Sequence, residues 1–255
     1  MLRTNRMREL LAENRPLLGG HAFIPDATYV EFLGLAGFDW VFIDAEHGGV
    51  SVTKCYELVR AADAVGMASF VRLPSRDVEQ FSAYMDTGVH ALKVPHLRSV
   101  QDALDLRDAL RFPPHGTRGI SGMTRANNYG LGAPSKEYLL DRQQTIVISA
   151  MIEDAGTVEQ LPQIIETGAI EIYSIGRSDL SASLGHTGEP EHPAVAEVYE
   201  RAVATLRAAG QIFTATCTTA EAAQKAFAAG ARLVSIQTPR VIGQFLKDFT
   251  AACKA

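Results

Sequence analysis

The sequence predicts an α/β protein of the (β/α)8 TIM-barrel type, on three observations. Eight short β-branched runs recur along the chain, helical stretches rich in Ala, Leu, Glu and Arg separate them, and 255 residues is the usual size of one such barrel. Residues 1–255 therefore read as a single barrel domain.

The strand runs fall at 18–23, WVFID (40–44), ASFVR (68–72), HALKVP (90–95), TIVISAMIE (145–153), EIYSIG (171–176), QIFTAT (211–216) and RLVSI (232–236). They are near-continuous apolar runs, as expected of strands covered on both faces. Between them lie periodic helices such as VTKCYELVRAADAVG, DVEQFSAYMDTG, SVQDALDLRDAL, TVEQLPQIIETG and AEAAQKAFAAG, several ending in glycine (Gly66, Gly88, Gly168, Gly210, Gly230). Alternating βα units can form an open doubly wound sheet or a closed barrel. Eight regular units, with no glycine-rich dinucleotide turn after the first strand, favour the barrel. One segment breaks the rhythm: residues 112–144, rich in Gly, Pro and Asn and carrying Arg118 and Arg125, are too long for an ordinary connection. They read either as a surface excursion or, with a slight preference, as an active-site loop.

Composition bounds the function. The net charge of −5 argues against nucleic-acid binding. The N-terminus, MLRTNRMRELLAENRP, has the pattern of a polar amphipathic helix rather than a signal peptide, and no stretch is long and apolar enough to span a membrane. Three cysteines without metal-type spacing (Cys55, Cys217, Cys253) suit a reducing, cytoplasmic compartment.

In a parallel barrel, catalytic groups come from the C-terminal ends of strands and the loops after them. Those positions hold Asp44-Ala45-Glu46-His47-Gly48-Gly49, Arg72-Leu73-Pro74, Glu153-Asp154 and Gly176-Arg177-Ser178-Asp179. Taken singly, Glu153 and Asp179 are as well explained as helix or turn caps. As a pair at adjacent strand ends they would repel unless a cation lay between them, and oxygen ligands suit Mg²⁺ or Mn²⁺. Arg72 is either an outward ion-pair partner or, preferably, a bidentate clamp for a carboxylate. His47 sits beside two glycines in an accessible loop and belongs to the residue type that exchanges protons near neutral pH. His21 is a weaker candidate on the same rim. His90, His96, His115, His186 and His192 read as structural or surface residues, and Trp40 as core.

A metal with an arginine fits a 2-oxo acid, whose keto oxygen the metal would polarise to stabilise an enolate. No strand-end lysine stands out as an imine former, and the alternation in HALKVP leaves the direction of Lys93 open, so a lysine-imine mechanism is the poorer fit.

The segments FDWVFIDAEHG (38–48), VRLP (71–74), ALKVPHLRSVQDA (91–103), RFPPHGTRGI (111–120), IEDAGTVEQLPQI (152–164) and IGRSDLSASLG (175–185) together resemble the HpcH/HpaI aldolase family of class II, metal-dependent pyruvate aldolases. The resemblance runs through nearly the whole chain. It implies a barrel with an exchanged C-terminal helix, commonly a hexamer. It also implies a divalent metal (Mg²⁺, Mn²⁺ or Co²⁺) on Glu153 and Asp179, with Arg72 binding the pyruvyl oxygens and His47 as base. By the same likeness the Gly176–Asp179 turn would offer backbone amides to the pyruvate carboxylate, and Asp86, reached from a neighbouring subunit, would pair with the histidine.

The implied reaction is cleavage of a 4-hydroxy-2-oxo acid to pyruvate and an aldehyde through a metal-stabilised pyruvate enolate, and its reverse. The alternatives are a citramalyl- or malyl-CoA-type lyase and a non-catalytic barrel that binds a keto acid. Around the retained groups the chain departs from the family's habit: Met151 stands where relatives often have glutamine, and Arg177-Ser178 where many have Pro-Ala. His21 replaces an aromatic residue and Thr216 an apolar one. Arg177, Arg125 and His21 are expected to meet a polar or anionic tail of the substrate, and Thr216 and Ser178 are further substrate-binding candidates.

Overall fold

A computed structural model of the protein describes residues 4–131, 136, 140 and 146–254. Eight parallel strands close into one barrel in sequence order: β1 (Leu17–His21), β2 (Trp40–Asp44), β3 (Ala68–Arg72), β4 (Ala91–Leu97), β5 (Val147–Ile152), β6 (Ile172–Ile175), β7 (Ile212–Cys217) and β8 (Leu233–Ile236). The α-helices among the described residues include α1 (Arg6–Ala12), α2 (Ala27–Leu35), α3 (Val52–Ala64), α4 (Phe81–Asp86), α5 (Val100–Leu110), α6 (Ala155–Glu159), α7 (Leu161–Glu166), α8 (Arg177–Ser183), α9 (Pro193–Ala208), α10 (Ala220–Ala228) and α11 (Thr238–Lys254).

The apolar runs are continuous because alternate residues serve two separate cores. Val41, Ile43, Leu92, Val94, Ile148, Ala150, Tyr173 and Val234 face the helices. Leu17, Trp40, Phe42, Ala68, Phe70, Ala91, Val147, Ile172 and Leu233 face inward. Met7 and Leu10 of α1 join the inner group and are fully buried, so the N-terminal helix closes the floor of the barrel. Trp40, as expected, is core: it lies so close to Gly19 that a Cβ there would sit 2.2 Å from its ring. Above this apolar plug the inward positions turn polar, with Lys93, Ser149, Ser174, Thr214 and Ser235 all buried.

Two expectations need correction. TVEQLPQIIETG forms two short helices, α6 and α7, rather than one, because Pro162 has no N–H to continue the ladder and starts a new first turn. The long segment from residue 112 follows helix α5 rather than a strand, so its described part lies at the N-terminal end of the barrel, opposite the catalytic rim. There Arg118 pairs with Asp86 at 2.7 Å and stacks over Phe112. Residues 132–135, 137–139 and 141–145 fall outside the described residues.

Candidate active site

The turn after β2 is shaped by its glycines. A Cβ on Gly48 would meet the Asp44 carbonyl oxygen at 2.3 Å, and Gly49 takes a φ of +65°. This tight turn brings the backbone N–H groups of Glu46 and His47 onto Asp44 Oδ1 at 3.1 and 3.2 Å. Asp44 also accepts both prongs of Arg72, Nε at 2.9 Å and Nη2 at 2.6 Å. Burial alone would hinder ionisation of Asp44, but the Arg72 guanidinium and the two amides outweigh it and hold its carboxyl below the usual range. The fork is thus fixed from behind, and Arg72 Nη1 extends past Glu46 (3.1 Å) toward Met151 Sδ (3.7 Å).

On the facing strands, Asp154 rather than Glu153 caps α6, accepting from Gly156 and Thr157. Glu153 turns inward and is only 4% exposed. Its Oε1 accepts the His96 backbone N–H at 2.7 Å and lies 2.9 Å from His96 Nδ1, while His96 Nε2 lies 3.1 Å from Glu46. His96 is held there by a register shift late in β4 and a φ of +53°. Burial raises the pKa of Glu153; His96 counters this, while Asp179 and Glu46 raise it further. Three carboxylates, Glu46, Glu153 and Asp179, therefore act on one another, with His96 beside the first two and Arg72 beside Glu46 as their balancing partners.

Asp179, in the first turn of α8, caps nothing: Gly176 occupies that place, and among the described residues no hydrogen bond or ion pair ties the Asp179 carboxylate. A Cβ on Gly176 would lie 2.6 Å from Glu153 Oε2, so any side chain there would displace the Glu153 carboxylate. The Gly176 amide is used by the sheet, donating to Ile152 O at 3.0 Å. The amides available from this turn are therefore those of Arg177, Ser178 and Asp179, which precede the first intrahelical bond, from Leu180 to Gly176.

His47 is 69% exposed in side chain at the mouth, its Nε2 3.6 Å from Glu46. On the opposite wall His21 Nε2 and Thr216 Oγ1 each lie 3.1 Å from Ser235 Oγ, a short polar chain across β1, β8 and β7. Burial, helped by the Lys93 charge, pushes the His21 pKa down to about 4, so the ring is neutral.

The fold thus brings His21, His47, Arg72, Glu153, Gly176, Ser178, Asp179 and Thr216 to one rim. Three predicted residues are not brought into it. The Arg177 side chain turns outward onto Glu191 (2.9 Å) and the Tyr199 ring (4.0 Å). Arg125 is held at the opposite end by Asp63 and the Thr87 carbonyl, and Asp86 lies beside Arg118. A substrate contact by Arg177 or Arg125 within this chain is corrected accordingly.

Reading the sequence also missed His96 and left Asp44, Glu46 and Lys93 without roles. Pro95 carried the signal for His96: a proline inside a strand marks a bulge, which re-aims its neighbours. Lys93 follows Ala91 onto the inner face, between Phe42 and Phe70 (4.9 and 5.0 Å).

A closed barrel with an arginine clamp, an exposed histidine and converging carboxylates at its catalytic rim defines a carbon–carbon lyase. A sequence model of the HpcH/HpaI aldolase/citrate lyase family matches residues 23–238, and the chain belongs to that family. A 4-hydroxy-2-oxovalerate aldolase of Rhodococcus jostii is 32% identical over 233 residues, covering 91% of this chain and 89% of that protein. A pyruvate aldolase of Rhizobium etli is 31% identical over 210 residues, 82% of each chain. The crystal structure of a family member from Burkholderia cenocepacia superimposes with a TM-score of 0.91 at 27% identity, covering 99% of this chain and all of that one.

Proposed function

We propose that the protein cleaves a 4-hydroxy-2-oxo acid to pyruvate and an aldehyde, and runs the reverse addition. The observation that carries this reading is the pre-set Arg72 fork beside the buried Glu153. Arg72 is held rigid by Asp44 and needs no rearrangement to accept a carboxylate or keto oxygen. Ser178 and its neighbours present first-turn amides to the same anion. His47, at the open mouth, takes the proton of the C4 hydroxyl. The C3–C4 bond then breaks, its electrons pass into the pyruvate enolate, and the aldehyde departs toward solvent. Protonation of the enolate carbon completes the turnover.

The donor set fits a hard divalent cation, because Glu153, Asp179 and Glu46 converge in excess of positive charge. Glu153 and Asp179 would hold it, and when bound it would act as a Lewis acid on the keto group. His21 and Thr216 line the wall where the electrophile's tail would lie. Asp86 would contribute only from a neighbouring copy, which fits a homo-oligomer. The apolar stripe of α11, with Val241, Ile242, Phe245, Leu246 and Phe249 exposed, is the surface such a copy would cover. The three free cysteines fit a cytoplasmic setting.

Pyruvate release from 4-hydroxy-2-oxo acids, followed with lactate dehydrogenase, tests the reading. Release should vanish with EDTA and return with Mg²⁺, Mn²⁺ or Co²⁺. Cleavage that persists after full chelation, or borohydride trapping of substrate on a lysine, would overturn it.

A further inference from the structure

Lys93 sits where an ammonium is hard to keep. It is 7% exposed, on the inward face of β4, paired in register with Arg72 on one side and Ser149 on the other. Among the described residues no carboxylate lies within ion-pairing distance of its Nζ and no hydrogen bond reaches it. Its close companions are the faces of Phe42 and Phe70, 4.9 and 5.0 Å away. Cation–π contacts of this kind recover less than the hydration that a buried charge loses. The Ser149 hydroxyl is fully buried and also has no hydrogen-bond partner among the described residues. Two unpartnered polar groups at directly paired positions on adjacent strands are rare in a finished core, where nearly every such group is satisfied.

Both groups face the same space. The charges that act on Lys93 are those of the candidate site: Arg72 repels it, while Glu153 and Asp44 attract it. Lys93 therefore lies beneath the clamp, over the apolar plug, and the ligand that suits it is an anionic oxygen reaching down from the rim. A carboxylate already has Arg72 and the first-turn amides of α8. The oxygen that gains charge during the reaction is the keto oxygen; a bound metal would meet it from the Glu153 and Asp179 side, which leaves its inner side to a group within the barrel.

We propose that Lys93, with Ser149 beside it, is the second cation of this site and receives the enolate oxygen of the bound keto acid from inside the barrel. The inference rests on the lyase reading given above. Lys93 acts without moving: as the C3–C4 bond breaks, the electron pair that collects on the C2 oxygen meets a fixed Nζ–H donor, and the negative charge gathering there favours its ammonium form. It forms no bond to substrate carbon, so the borohydride result expected above is unchanged.

Lys93→Met tests this, since it keeps the chain length and removes the charge. Oxalate, a planar mimic of the pyruvate enolate, and pyruvate itself are titrated calorimetrically into the Mg²⁺-loaded enzyme. Exchange of the pyruvate methyl protons with D2O is followed by NMR. Lys93→Met should weaken oxalate about tenfold or more, a loss of about 1.4 kcal/mol per decade, and slow exchange to a similar degree, with pyruvate affinity changing by less than about threefold. Ser149→Ala should shift oxalate in the same direction by about threefold, and it serves alone if Lys93→Met does not fold. Unchanged oxalate binding and exchange, or equal losses for oxalate and pyruvate, would overturn the role of Lys93 and leave the lyase reading standing. A wild-type enzyme that neither cleaves nor exchanges would overturn the lyase reading itself.

Discussion

At the scale of single residues, the site is governed by charges placed where water is scarce. Burial, reinforced by Arg72, lowers the Lys93 pKa to about 7, with Glu153 and Asp44 pulling the other way. An unfolded lysine titrates near ~10.4. Below about pH 7 both states carry the proton and the folded state bears the full penalty of a buried ammonium. Between that pH and ~10 only the unfolded chain is protonated, so stability should rise with pH across this window. Urea titrations from pH 6.5 to 10 should show the rise in wild type and its loss in Lys93→Met; parallel profiles would refute the assignment. Arg72, Glu153 and Asp179 were legible in the sequence because strand ends in a parallel barrel face one rim. Lys93 was not, because the residues on both sides of it in β4 are apolar and no alternation marks the inner face. His96 was read as bland because its role depends on a bulge and a left-handed backbone that spacing does not record.

At the scale of elements, the least expected part is α1. As a sequence it is an amphipathic helix whose apolar residues include Met7, Leu10 and Leu11, and nothing in its periodicity says which surface they meet. In the fold Met7 and Leu10 fill the bottom of the barrel against Leu17, Trp40, Ala68 and Val147. Leu10→Ala should cost about 2–5 kcal/mol, the usual range for a large-to-small change in a packed core. A midpoint of urea denaturation within error of wild type would show that α1 is not a structural floor. The eight strands were legible to within a residue or two because their β-branched runs are bounded by glycine-ended helices. The long excursion after α5 was misplaced for a topological reason: its composition resembles that of an active-site loop, but a loop that follows a helix lies at the other end of the barrel.

At the scale of the whole molecule, the barrel is divided by height. Its lower interior is an apolar plug, its middle a buried polar layer, and its upper rim the clamp and the carboxylates. Outside it, α11 leaves the body with Phe245 66% exposed and Phe249 60% exposed, a surface too apolar for an isolated chain. Phe245→Glu with Phe249→Glu should therefore yield a smaller species by light scattering, with at least about a tenfold loss of activity if Asp86 must come from a neighbouring copy. An unchanged mass would count against that assembly.

The N-terminal plug bears on the chemistry at the far end of the barrel. By stopping water from rising through the bore, Met7 and Leu10 act as electrical insulation: they keep the medium around Lys93 poorly polarisable. The proton affinity of a buried lysine beneath the rim is thus tuned by side chains on the floor of the barrel.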